Sequence, residues 1–116
     1  MGSLKRGWVV LAVYPFTDLT ATTRRPALVV SASSRPGSDC ILAFITSRTA
    51  TIETTDLLLD PAHPDFAASG LRATSLVRCD KLMTLNHTLL TGRLGVFSPR
   101  LMAQVDTRLK LALELS

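Results

Sequence analysis

Three short groups of residues in this sequence have the types and spacing to do chemistry. Arg24 and Arg25 stand side by side before Pro26 and an apolar run. Thr46, Ser47 and Arg48 follow a second run that starts at Cys40, and Arg78 and Asp80 stand two apart inside a third. A guanidinium is a planar fork that matches phosphate oxygens. A carboxylate two residues from an arginine on a strand shares its face, so the two could act on one bound group. Each group also has an ordinary reading: Arg78 with Asp80 as an ion pair, Thr46 as a turn residue, Arg25 as a solvated charge.

The sequence carries no His/Cys cluster at metal-ligand spacing and no glycine-rich phosphate loop, so neither a metal nor another cofactor is expected. His63 and His87 fall in polar, turn-like contexts and read as exposed bystanders. Cys40 and Cys79 lie in apolar runs far apart in sequence and read as reduced core thiols.

The elements that must position these groups follow from hydrophobic patterning. Trp8 to Tyr14 is a near-continuous apolar run ended by Pro15, a buried strand. A threonine-rich polar stretch from Thr17 to Arg25 leads to a second strand, Pro26 to Ser31, with proline tolerated at its start. Turn formers from Ser33 to Asp39 precede a third strand, Cys40 to Thr46, and Thr54 to Leu59 makes a weaker fourth. After a turn at Asp60-Pro61 and a loop through Gly70, Ser75 to Leu85 is the fifth. Its alternation assigns Leu76, Arg78, Asp80 and Leu82 to one face and Val77, Cys79, Lys81 and Met83 to the other. Asn86 can cap one helical turn through Leu90, and Arg93 to Val96 can add a short strand. Ser98-Pro99 is a helix start, and Leu101, Met102, Val105, Leu109, Ala112 and Leu113 recur at helical steps to about Leu115.

A chain of 116 residues is one domain's worth, so residues 1–116 are expected to form a single domain. With 47% hydrophobic and 19% charged residues it is a folding composition. No apolar run reaches the roughly 18 residues of a membrane span, and no secretory signal opens the chain, so a cytoplasmic protein away from membranes is expected. Net charge +4 and a pI near 9.7, carried mostly by arginine, favour an anionic partner. Short antiparallel strands followed by one helix suit a mainly β (α+β) fold, a small SH3-like barrel that hides its edges.

Taken in order, Lys5-Arg6-Gly7, Arg24 to Val30, Ile45-Thr46-Ser47, Val77 to Leu82, Leu94-Gly95, and Ser98-Pro99 with Val105-Asp106 resemble the MazF/PemK (Kid-like) family of toxins from toxin-antitoxin systems. The resemblance covers nearly the whole chain. It implies an SH3-like barrel with a C-terminal helix and a homodimer. It also implies metal-independent cleavage of single-stranded RNA, leaving a 2′,3′-cyclic phosphate and a free 5′-hydroxyl. RNA would lie in a groove across the dimer, and the C-terminal segment of a cognate antitoxin would block it. One departure stands out: Thr17 to Thr23 lacks the Gly-x-Glu-Gln segment that many members carry between the first two strands, although Thr17, Asp18 and Thr20 could still contact RNA.

That chemistry needs a base for the 2′-hydroxyl, positive charge on the phosphorane-like transition state and help for the leaving oxygen. The resemblance assigns phosphate stabilisation to Arg25 and a hydrogen bond to Thr46 in the MazF-like branch, and an Arg78/Asp80 pair in the Kid-like branch. Asp80 is the better base, since a guanidinium rarely deprotonates. Arg24, Ser47, Arg48 and Lys81 are further candidate RNA contacts. Two alternatives stay open: a family member that binds RNA or antitoxin without cutting, and a CcdB-like gyrase poison. The latter depends on a Trp-Gly-Ile end, where this chain has Leu113-Glu114-Leu115-Ser116.

Overall fold

The computed structural model describes residues 4–13, 24–33 and 36–116; Thr17, Asp18 and Thr20 lie outside them. Its elements are β1 (Trp8–Val13), β2 (Arg24–Val29), β3 (Asp39–Thr46), β4 (Asp56–Leu59), β5 (Ser75–Asn86), β6 (Leu90–Val96) and α1 (Pro99–Leu113). Single 3-10 turns lie at Ala67–Ser69 and at His87–Leu89, the second capped by the Asn86 side chain, which accepts from the Thr88 amide.

The strands form one six-stranded sheet in the order β4-β5-β3-β2-β1-β6, antiparallel throughout. The mainly β fold with a C-terminal helix is the one expected, with two shifts: β2 opens at Arg24, so Pro26 stands inside it and not at its start, and β6 opens at Leu90, ahead of Arg93. Among the described residues the ladder does not close into a barrel. β4 and β6 are its two edges. Each edge is protected by other means. On β4 the Asp56 carbonyl accepts a hydrogen bond from Arg108 Nε of α1 at 2.8 Å. Beside β6, the Ala67–Ser69 turn packs backbone to backbone: a Cβ on Gly95 would stand 2.3 Å from the Ala68 carbonyl oxygen, and one on Gly70 2.1 Å from that of Leu94. Only glycine permits that approach at both positions, and Gly70 also takes the left-handed conformation, φ 74°.

Both faces of the sheet are apolar. Val9, Leu28, Ala43 and Ile45 point into a core closed by Leu101, Met102 and Val105 of α1, whereas Val10, Ala27, Val29 and Leu42 point to the opposite face. Burying each of the helix side chains stabilises the fold by roughly 1.5–3 kcal/mol. The predicted helical stripe leaves the core after Leu109, which is half-buried, and Leu113 is exposed. Cys40 and Cys79 are buried thiols in different clusters, not bridged to each other. Burial pushes the Cys79 thiol up to about 11.

The strict alternation expected along β5 is broken. Ala43 pairs with Leu82 and the next residue, Phe44, pairs with Arg78, so β5 carries three extra residues, Cys79, Asp80 and Lys81, in a wide bulge. The parity therefore slips: Cys79 and Leu82 share one core and Met83 lies in the other, against the predicted grouping of Cys79 with Met83.

The two ends of the chain are joined. Arg6 donates through Nη2 to Asp106 of α1 and through Nε to the Val30 carbonyl at 2.9 Å, while Gly7 donates to Val29 and accepts from Phe97. At the helix start the Ser98 hydroxyl accepts from the Leu101 amide and donates to Asp65, which also takes a two-pronged contact from Arg100. Arg100 first and Ser98 second hold the Asp65 carboxyl at about 2, against an ordinary 3.8. A depressed acid stabilises the fold fully above its unfolded pKa and loses that contribution as pH falls toward the folded one. Denaturant melts between pH 4 and 2 should accordingly show a shallower loss of stability in Asp65→Asn than in the wild type. Equal slopes would remove Asp65 from the account of acid sensitivity.

Candidate active site

Arg25 and Thr46 reach one place because of strand register. β2 and β3 pair Val29 with Leu42, Leu28 with Ala43 and Ala27 with Phe44. Continuing that register by two residues sets Arg25 opposite Thr46, at the end of the sheet where β2 begins and β3 stops. Thr46 in turn pairs with Leu76 of β5.

A cleft of about 460 Å³ opens there. Leu11, Pro26, Ile45 and Leu71 form an apolar floor, and Arg25, Thr46 and Ser47 stand on its rim. The Thr46 hydroxyl accepts a hydrogen bond from the Arg48 amide at 3.1 Å, which leaves its own proton to donate into the cleft. Arg25 is exposed and has no hydrogen bond or ion pair among the described residues, so its fork is available to a ligand. A cation beside an apolar, partly enclosed floor interacts more strongly with an anion than the same cation on an open surface.

Other predicted contacts stand elsewhere. Arg24, Arg48, Arg78, Asp80 and Lys81 do not line the cleft. Arg24 reaches Thr91 of β6 at 3.5 Å. Arg78 faces Asp56, its cross-strand partner on β4, with Nε 3.4 Å from a carboxylate oxygen whose side chain is fully buried. These two atoms meet outside hydrogen-bond geometry and neither has another partner. Asp56 also accepts from the Glu53 amide at 2.9 Å. The carboxylate that holds Arg78 is thus Asp56, where Asp80 was expected; Asp80 is exposed on the bulge with no partner among the described residues.

Three residues of consequence escaped the sequence reading. Arg72 and Ser75 line the cleft from the segment that leads into β5. Arg72 sits among small residues between Gly70 and a strand start, where a lone cation draws no notice. Asp56 heads the run Asp-Leu-Leu-Leu, and an acid opening a buried strand was a signal that a cation must meet it. Among the described residues no group of three or more His, Cys, Asp or Glu is assembled that could hold a metal ion, and no helix is long and apolar enough to cross a membrane.

Comparison with known proteins gives consistent neighbours. The family model for PemK-like, MazF-like toxins of type II toxin-antitoxin systems matches residues 5–113. An endoribonuclease solved in complex with its cognate antitoxin, from a Mycobacterial species, is 28% identical over 97% of each chain, with a TM-score of 0.75. A second Mycobacterial endoribonuclease is 28% identical over 99% of this chain and 95% of its own, TM-score 0.74. MazF from Deinococcus radiodurans shares the fold, with TM-score 0.75 at 23% identity over 98% of this chain and 99% of its own. No curated protein matches the sequence.

Proposed function

Since the chain belongs to the PemK-like, MazF-like toxin family of type II toxin-antitoxin systems, we propose that it is an endoribonuclease toxin that cuts single-stranded RNA at the Arg25–Thr46 cleft. The observation that carries this reading is the meeting of Arg25 and Thr46 on the rim of one cleft with an apolar floor. In the proposed reaction the ribose 2′-hydroxyl gives up its proton and attacks the adjacent phosphorus, and the 5′-oxygen of the next nucleotide leaves as its bond to phosphorus breaks, taking a proton from solvent. The products are a 2′,3′-cyclic phosphate and a free 5′-hydroxyl. Arg25 neutralises the charge that builds on the non-bridging oxygens, Thr46 donates a hydrogen bond to one of them, and the apolar floor receives a base. The step needs no metal.

The 2′-hydroxyl proton falls to Asp80, the base that the family resemblance implies, if the RNA path runs on from the cleft to the β5 bulge: its carboxylate is exposed and unpaired among the described residues but does not itself line the cleft. Asp80→Asn should then abolish most cleavage while leaving RNA binding in place. Near-normal cutting by that variant would make Asp80 a bystander. A homodimer with the RNA path shared between copies, and a cognate antitoxin segment that covers the cleft, belong to the same reading. The antitoxin is supported by the toxin-antitoxin family and by the similar Mycobacterial endoribonuclease solved with its cognate antitoxin, and the dimer rests on the family resemblance.

The test is incubation of the purified protein with a long single-stranded RNA in excess EDTA, followed by mapping of fragment ends. Discrete cuts ending in cyclic phosphate are expected. Intact RNA would favour a homologue that only binds.

A further inference from the structure

We propose that Arg72 holds a second phosphodiester of the RNA strand whose scissile phosphate Arg25 holds. This rests on the reading of the cleft as an RNA site.

Arg72 lines the same cleft as Arg25, and among the described residues no acidic residue lines it with them. Arg72 is exposed and forms no hydrogen bond or ion pair among the described residues. Two unneutralised guanidinium groups over one apolar floor repel each other, and an anion between or beside them relieves that repulsion. A single planar fork can hold one phosphate by itself. A second fork on the same rim matches a second phosphate, which a nucleic acid strand provides and a single mononucleotide phosphate does not.

The backbone that carries Arg72 is held on both sides. Ahead of it, Gly70 is locked against the Leu94 carbonyl, the Ser69 hydroxyl accepts from the Leu71 amide at 3.2 Å, and Leu71 is buried in the core. Behind it, the Ser75 hydroxyl donates to the Ala73 carbonyl at 2.8 Å. An arginine on an anchored segment loses little backbone freedom on binding, so its contact favours the bound state more than one from a free loop would. Leu94, also on the cleft, belongs to the β6 backbone against which this segment is locked.

The experiment compares wild type, Arg72→Gln, Arg72→Lys and Arg25→Ala on the RNA sequence that the wild type cuts. Binding is measured across a salt series on the same strand fully 2′-O-methylated, which keeps every phosphate and lacks the nucleophile. Arg72→Gln should flatten the log–log salt dependence by about 0.7, the loss of one phosphate contact on a single strand. Its KM should rise about tenfold with kcat within about threefold, the signature of lost binding that is equal in ground and transition states. Arg72→Lys should keep the slope, and melting midpoints should not move. If the wild type cuts but Arg72→Gln keeps wild-type slope and KM, the inference is overturned and the nuclease reading stands. If the wild type cuts nothing yet binds with an Arg72-dependent slope, the nuclease reading falls and the phosphate site stands. Absence of RNA binding by the wild type overturns both.

Discussion

Arg25→Ala is expected to lower the rate of RNA cleavage by about two to four powers of ten while leaving the fold intact. The magnitude follows from where the guanidinium stands. Charge develops on phosphate oxygens only as the reaction proceeds, and a fixed cation beside an apolar floor stabilises that charge more than water does. Arg25 is exposed at the start of β2, so its removal empties no core. Its backbone keeps its pairing with Ala12 of β1. Arg25→Lys should fall between, retaining the charge but losing the planar fork. Single-turnover cleavage with saturating protein, beside a thermal melt of each variant, separates lost chemistry from lost fold. A fully active, stable Arg25→Ala protein would take Arg25 out of the site.

The second large effect is on stability. Arg78→Met should reduce the free energy of unfolding by about 2–4 kcal/mol, because it strands the Asp56 carboxylate in the core with only the Glu53 amide to satisfy it. The cost falls below that of a wholly buried pair, since the Arg78 side chain keeps 27% exposure and is partly hydrated already. Adding Asp56→Asn removes the stranded charge and keeps an oxygen for Glu53, so the double variant should regain a large share of the loss. Urea unfolding of the two single variants and the double variant measures this coupling. Unchanged stability in Arg78→Met would show that the pair does not hold β4 to β5. Activity then divides the roles of Arg78. If stability and cleavage return together in the double variant, Arg78 acts through the fold; if stability returns alone, Arg78 touches the RNA, as the Kid-like pattern implies.

Asp56 also explains why one part of the site was misread from spacing. A two-residue separation on a regular strand predicts a shared face for Arg78 and Asp80. The strand is not regular there, since β5 places Cys79, Asp80 and Lys81 between consecutive partners of β3. No local feature of Val77 to Leu82 marks a bulge, which shows only in the register of β5 against β3.

The sequence by itself determined the elements. Apolar runs of β-branched residues, Asn86 and Ser98 as caps, and the three- and four-residue steps after Pro99 are local signals, and local signals decide which backbone state each segment prefers. It also determined that Arg25 and Thr46 end up at strand termini, since each stands at the edge of an apolar run. Only the tertiary structure decided what meets what. Strand pairing brought Arg25 and Thr46 to one cleft, and the close approach of the Ala67–Gly70 segment to Leu94 and Gly95 of β6 stands beside Arg72 on the same cleft. Burial chose Asp56 over Asp80 as the partner of Arg78. Arg108 and a 3-10 turn were brought against the two sheet edges, β4 and β6. Each of these outcomes depends on residues far apart in the chain coming within a few ångströms, and no local pattern encodes which distant group will be there.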